Sequence, residues 1–316
     1  MSGTRGKIDV HHHVLPEFYK DAQRAVGITG TAYRGFPEWS PEHSLDLMDR
    51  LAIEATVFSF TSPGIFFGDL GQTRELAIQC NDYLAGLAKQ SGRFGGFGFL
   101  PLPDVEASIK EINRLVDDLK LEGVCLLTNV NDVYIGHPDF EAVYAELNRL
   151  EVVTFIHPCY PPGKEARDWD IPRMLIDYPF ETTKVATNLI FNGVTTRCPD
   201  IKFILSHAGG TLPMLAHRIA MFDKQTKFKD NYPEGALAHI ARFYYDTALS
   251  GHPAPLNALR AFVPDSQILF GTDYPYVSAE GATAETRGFE AYEGFDATQR
   301  EMVERGNAQG IWARLR

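Results

Sequence analysis

Cysteine is scarce in this chain, and the little there is forms no pattern. Cys80, Cys125, Cys159 and Cys198 are spread over 316 residues with no CxxC pair. That spacing excludes a zinc knuckle and argues against a disulfide framework, so reduced core thiols in a cytoplasmic protein are expected. Long hydrophobic runs are missing too: no segment approaches the ~18 to 20 apolar residues that span a bilayer. Clusters of Lys and Arg are absent and the net charge is −11, which argues against nucleic acid, because neutralising phosphates requires concentrated positive charge. The opening MSGTRGKIDV passes from a short polar arm into a strand with no apolar h-region, so no signal peptide is expected. No internal repeat or low-complexity tract interrupts the chain.

What the sequence does have is one construction used five times. IDVHHH at 8–13, FIHP at 155–158, LSHAGG at 205–210, YYDT at 244–247 and FGTDYP at 270–275 are apolar runs that end abruptly in His or Asp. A buried parallel strand reads this way where it delivers a reactive side chain to its C-terminal end. Eight such strands are predicted: Lys7–His11, Thr56–Phe60, Phe94–Leu100, Gly123–Leu127, Val152–Ile156, Lys202–Ser206, Phe243–Asp246 and Gln267–Phe270. Helical stripes lie between them, one through Ile109, Ile112, Leu115, Val116 and Leu119, another through Phe140, Val143, Tyr144, Leu147 and Leu150. Alternation of this kind predicts an α/β chain folded as a (β/α)8 TIM barrel, one domain over residues 1–316. A doubly wound sheet is the alternative, but its first βα turn would lack GxGxxG, which disfavours a dinucleotide site.

Two connections exceed what a barrel needs. Residues 14–43 follow the first strand and carry the aromatics Phe18, Tyr19, Tyr33, Phe36 and Trp39; residues 158–180 follow the fifth and are rich in proline. Long loops at this end of a barrel are expected to wall a pocket.

Residues two apart on a strand share a face, so His11 and His13 can point together into the barrel mouth while His12 points away. With His157 at the end of the fifth strand they form an imidazole set suited to Zn²⁺, Mn²⁺ or Fe²⁺. Asp273, beside the first strand in a closed barrel, can be a ligand, an acid or base, or both. His207 is either a fourth imidazole ligand or an unligated proton-transfer group. For Asp246, orienting a histidine is at least as expected as touching a metal. His43, His137, His217, His239 and His252 are expected at the surface or as caps, and Cys159 in packing.

His11-x-His13, His157, His207 and Asp273, each at the end of its strand, resemble the amidohydrolase superfamily, in the branch similar to aminocarboxymuconate semialdehyde decarboxylase. IDVHHHVLP, IGHPDFEAVYAELNR, FIHP, MLIDYPFETT, LSHAGGTLP and FGTDYPY look most like the 6-methylsalicylate decarboxylase group. The resemblance implies that His11, His13, His157 and Asp273 hold one divalent metal, Zn²⁺ first and Mn²⁺ as the alternative, with His207 and Asp273 catalytic. Binuclear relatives use a modified Lys on the fourth strand; Gly123–Thr128 has none, which implies a single metal. Relatives acting on dihydroxybenzoates can begin with Glu-x-His, where this chain has His-x-His. The resemblance also implies that Arg218 crosses a subunit interface of a homodimer or dimer-based homo-oligomer to a substrate carboxylate; a surface salt bridge is the alternative. Arg34 is a second carboxylate candidate, and Glu181 a candidate hydrogen-bond partner for a catalytic His. The implied activity is non-oxidative decarboxylation of a small hydroxylated aromatic acid, with the loop aromatics around its ring. Hydrolysis of a lactone or ring-cleavage product is the alternative, because the same residues serve both.

Overall fold

Every one of the eight expected strands forms, and they join in sequence order into one parallel sheet. The computed structural model describes residues 6–31, 33–163, 171–225 and 227–315. The strands are Lys7–His13, Ile53–Ser59, Phe94–Phe99, Gly123–Leu127, Val153–His157, Lys202–Leu205, Tyr244–Asp246 and Ile268–Leu269. Both faces of such a sheet are covered, which is why its strands read as almost unbroken apolar runs. The first and eighth strands close the circle: the Val10 N–H donates to the Phe270 carbonyl at 2.9 Å and the His13 N–H to that of Tyr274 at 2.7 Å. His12 also forms a parallel bridge to Tyr274. The chain is a (β/α)8 barrel, and among the described residues no helix is long and apolar enough to cross a membrane.

The first strand runs two residues beyond its expected end, and its register explains why. Asp9 lies opposite Thr56 and His12 opposite Phe58, so Val10 and His11 face Val57 alone. This bulge adds one residue to the strand and re-aims the side chains beyond it.

Both helical stripes form, each with an irregular turn. The first is Val105–Arg114, capped by the Asp104 side chain and continued as a π turn over Leu115–Leu119. The second begins as a 3-10 turn, Pro138–Phe140, and continues as Glu141–Arg149.

The N-terminal end of the barrel is closed by the chain's last turns. Trp312 Nε1 donates to the Glu122 carbonyl at 2.8 Å, and Arg314 Nε to the Glu122 carboxylate at 2.7 Å. Above them Trp312 meets Phe97 at 5.8 Å, Phe97 stacks on Phe155 at 5.3 Å, and Phe155 meets the His11 ring at 5.0 Å. An aromatic column therefore connects the closed end to the first histidine of the mouth.

Three expectations change. Tyr19 and Trp39 do not wall a pocket: both are buried in the core, with the Tyr19 hydroxyl donating to the Thr61 and Gly64 carbonyls and Trp39 Nε1 to Ser44 Oγ. Apolar area without a packing partner at the mouth went inward instead. His239 is not at the surface; it is 1% exposed on the short helix Ala236–Arg242 and accepts from Arg242. In the second long connection the helix Asp177–Phe191 starts before residue 180, and part of that connection, residues 164–170, lies outside the described residues. The four cysteines are free and buried.

Candidate metal centre

Strand ends carry each member of the predicted cluster. His11 and His13 come from the end of the first strand, His157 is the last residue of the fifth, and Asp273 follows the eighth. All four are buried, and one ligand atom from each lies within 4.8 Å of the others. His11 Nε2 and His13 Nε2 are 3.0 Å apart. Asp273 Oδ1 lies 3.0 Å from His13 Nε2 and 3.3 Å from His11 Nε2.

The far side of each ring fixes which nitrogen faces inward. His11 Nδ1 donates to Asp246 Oδ2 at 2.8 Å. His13 Nδ1 donates to Ser59, 3.0 Å from its hydroxyl and 3.3 Å from its carbonyl. His157 Nδ1 donates to the Pro158 carbonyl at 2.8 Å and lies 2.9 Å from Thr61 Oγ1. With the Nδ1 protons committed outward, the Nε2 lone pairs turn to the centre together with a carboxylate oxygen. Two ring nitrogens and a carboxylate oxygen gathered this closely need a positive charge among them, a proton on His11 or a metal cation in its place. Ligands about 2.1 Å from a metal and at right angles to each other sit about 3.0 Å apart, against about 3.4 Å for a tetrahedron. The residues present therefore fit a single divalent metal with positions left for substrate.

Electrostatics point the same way. Burial opposes charge on His11, yet the carboxylates of Asp246 and Asp273 overcome it and raise its pKa to about 10. Burial lowers His13 to about 4, with the His11 charge adding to that effect and Asp273 opposing it. His157 is held well below the usual imidazole range by burial and its three histidine neighbours. Burial works against ionised Asp273, but His11 and the hydrogen bonds from His11, His13 and His207 keep its carboxyl well below the usual range. The pocket draws one positive charge towards His11.

His207 sits in a 3-10 turn just past the sixth strand, half-buried, with Nε2 3.4 Å from Asp273 Oδ2. Its Nδ1 is buried without a hydrogen-bond partner among the described residues. The two residues that face each other here both have left-handed backbones, φ 54° at His207 and 60° at Asp273, and non-glycine residues held there concentrate at functional sites. Asp246 ties these parts together: besides His11, it accepts the backbone N–H of His207 at 2.9 Å. Gly271 makes room for the arrangement, since a Cβ there would lie 2.8 Å from the Cβ of His11.

The remaining candidates are farther from the centre. Arg34 is exposed and donates to the Tyr276 carbonyl at 2.8 Å, against the loop that carries Asp273. Arg218 is exposed on the helix Leu212–Ala220. Glu181 is fully buried, but its described hydrogen bonds come from the Tyr134 hydroxyl and Lys184 and not from a histidine; helix Asp177–Phe191 turns it towards the Asn129–Tyr134 hairpin. Sequence reasoning missed Ser59 and Thr61, and also Tyr276 and Tyr178, set edge-on to His13 at 5.4 Å and His157 at 6.2 Å. A largely apolar cavity of about 190 Å³ is lined by Ser62, Ile65, Phe99, Leu127, Cys159 and Tyr160 among others.

The sequence model of the family described as Amidohydrolase matches residues 8–314. A protein of Aspergillus niger named decarboxylase yanB is 36% identical, covering 98% of this chain and 87% of its own. A 6-methylsalicylic acid decarboxylase of Penicillium expansum is 35% identical, covering 98% of this chain and 97% of its own. The solved structure of a 2,6-dihydroxybenzoate decarboxylase complexed with 2,6-dihydroxybenzoate superimposes with a TM-score of 0.82 at 25% identity, covering 98% and 99% of the two chains.

Proposed function

This chain belongs to the amidohydrolase family, and from that premise we propose that it is a metal-dependent carboxy-lyase: a non-oxidative decarboxylase of a small o-hydroxybenzoate of the 6-methylsalicylate type. The observation that carries this is the division of Asp273, whose Oδ1 faces His11 and His13 while Oδ2 faces His207. One carboxylate thus joins a metal-binding half to a proton-handling half. The names of the relatives above support the substrate class.

His11, His13, His157 and Asp273 would hold the ion, zinc with manganese as the alternative. When bound it supplies a Lewis acid and a template for the substrate's phenolate and carboxylate oxygens. Asp246, Ser59 and the Pro158 carbonyl keep the imidazoles turned towards it. Tyr178 and Tyr276 flank the space in which the ring lies. A new C–H bond must form at the carbon that carries the carboxylate, using a ring electron pair. The C–CO₂⁻ bond then breaks, its pair restores the aromatic ring, and CO₂ leaves. Asp273 is a poor resident acid because its neighbours favour the carboxylate. His207 Nε2, facing Asp273 Oδ2, is placed to deliver the proton to the ring directly or through that oxygen. Arg218, with the exposed Met214, Met221 and Phe222 near it, lies on a face that a second copy covers in a homodimer, and it reaches the partner's substrate carboxylate. The free, buried thiols suit a reducing compartment, and the cytoplasm is the proposed location.

Incubation with 6-methylsalicylate in D₂O tests the reading. Release of CO₂ with deuterium at the vacated carbon, abolished by a chelator and restored by metal, is expected. Solvent oxygen in the product, without CO₂, would sink it in favour of hydrolysis. Mixing Arg218→Ala with Asp273→Asn tests the shared site: hybrid dimers should recover activity, and verified heterodimers that stay inactive remove Arg218 from it.

A further inference from the structure

The middle histidine of the triplet takes no part in the centre, and its partners give it a different task. His12 is buried between Phe58 and Tyr274. Its Nδ1 donates to Asp9 Oδ2 at 2.9 Å, and its Nε2 accepts from the Ser44 hydroxyl at 3.0 Å, whose oxygen accepts from Trp39 Nε1 at 3.0 Å. The directions follow from Asp9, whose carboxylate only accepts: with the ring hydrogen on Nδ1, Nε2 is an acceptor, and the indole, which only donates, fills a lone pair of Ser44 and leaves the Ser44 hydrogen for His12. A Ser–His–Asp arrangement of this kind could suggest a nucleophile, but Ser44 is fully buried and already receives the indole hydrogen.

The chain of bonds ends at Asp9, which is fully buried and accepts four donors. Oδ1 receives the backbone N–H of His11 at 3.0 Å and of Thr272 at 3.1 Å. Oδ2 receives His12 Nδ1 and, at 2.6 Å, the Thr272 hydroxyl. Two of these donors are the places where regular structure gives way. The His11 N–H belongs to the bulge that re-aims the first strand, and Thr272 precedes Asp273, which has φ of 60°. A carboxylate with all its acceptor positions filled holds both deviations in a single register.

We propose that Asp9, oriented by His12, Ser44 and Trp39, is a positioning residue that sets the spacing of His11 and His13 against Asp273. Three of the four residues assigned to the metal hang from the two backbones it clamps. This rests on the metal reading above. Changes in hydrogen bonds behind a ligand typically alter metal affinity roughly 10- to 100-fold, which sets the expected effect.

Cobalt(II) provides the probe, since its visible ligand-field spectrum reports coordination geometry without any turnover. In Asp9→Asn an amide N–H₂ replaces an acceptor facing existing donors. The folded variant should bind cobalt(II) roughly 10- to 100-fold more weakly, with a changed spectrum. Thr272→Val removes the hydroxyl, with its bond to Asp9 and the longer one it accepts from the Tyr274 N–H, at nearly equal volume, and should move affinity and spectrum in the same direction by less, while Thr272→Ser restores both. This pair decides the matter should Asp9→Asn fail to fold. A purely structural role would lower Tm and leave affinity and spectrum of the folded protein as in wild type; that result in Thr272→Val overturns the proposal. A wild-type chain that takes up no cobalt(II) overturns the metal reading and this proposal with it.

Discussion

The two ends of this barrel solve opposite problems. At the N-terminal end the named polar groups meet partners of opposite character. Glu122 takes Arg314 and the Gly96 N–H, Arg305 takes Glu54 and the Gly6 carbonyl, and Lys7 takes Glu290 and the Leu51 carbonyl. At the C-terminal end His11, His13 and Asp273 crowd around a single positive charge, and among the described residues His207 keeps an unpaired buried nitrogen. Left-handed backbone occurs at both ends but means different things. Ala52, Lys120 and Glu151 lie between a helix end and the next strand, where such a residue commonly ends a helix. His207 and Asp273 follow strands directly, with no helix to end. The closed end therefore holds the fold together, while the mouth keeps unsatisfied groups that only a ligand or substrate completes.

If that contrast holds, substitutions at the two ends should fail in different assays. The largest effect is expected for His11→Ala, His13→Ala or His157→Ala, each losing metal and at least about a thousandfold in turnover together, since chemistry at such sites depends on the bound ion. Metal-free stability should hold steady or rise in His13→Ala and His157→Ala, whose imidazoles burial keeps neutral, and should fall in His11→Ala, which loses the buried charge that Asp246 and Asp273 hold. Full activity in a metal-free preparation would break the contrast at once. His207→Ala should keep most of the metal and lose roughly 10² to 10⁴ in turnover; an emptied site would make His207 a ligand. Trp312→Ala at the other end should cost about 3 to 5 kcal/mol of stability, read from thermal or denaturant unfolding, with metal affinity of the folded protein unchanged. A loss of affinity there would mean that the aromatic column up to His11 transmits to the mouth.

Legibility in the sequence follows the same division. His11, His13, His157, His207, Asp246 and Asp273 could be picked out because each terminates an apolar strand, a local signal that survives without knowing the neighbours. Ser59 and Thr61 act on His13 and His157 only because the second strand, which ends at Ser59, pairs beside the first and brings them to the mouth. A serine or threonine after a strand carries no mark of that. The His11 bulge was equally hidden, being a mismatch of two strands rather than a property of one. Trp39 was misread because an aromatic in an irregular segment has no periodicity to say which way it faces, and Tyr19 because the nine-residue helix Glu17–Ala25 that buries it was not expected in that connection. Glu181 was expected beside a histidine, but the hairpin that supplies its partner Tyr134 has only two residues in each arm, too short to leave a pattern.

The smallest effect probes the charge logic of the mouth itself. A histidine raised from 6.5 to about 10 carries a proton at neutral pH. In the metal-free protein the stability it gives is fully present below 6.5 and is lost as pH rises through about 10. A metal must displace that proton, because imidazole binds through a lone pair. His13 and His157, lowered by burial, are already neutral at pH 7 and have none to give, and Asp273 is already a carboxylate. Metal binding near pH 7 should therefore release about one proton per site, measurable with a pH indicator in weak buffer or by calorimetry in buffers of different ionisation enthalpy. Affinity should climb with pH across the neutral range and level off near 10. Asp246→Asn withdraws the largest charge that favours protonated His11, so its proton release should fall towards zero. Release of two or more protons by wild type would mean that His13 or His157 also holds one, and that the mouth is less starved of positive charge than its facing acceptors imply.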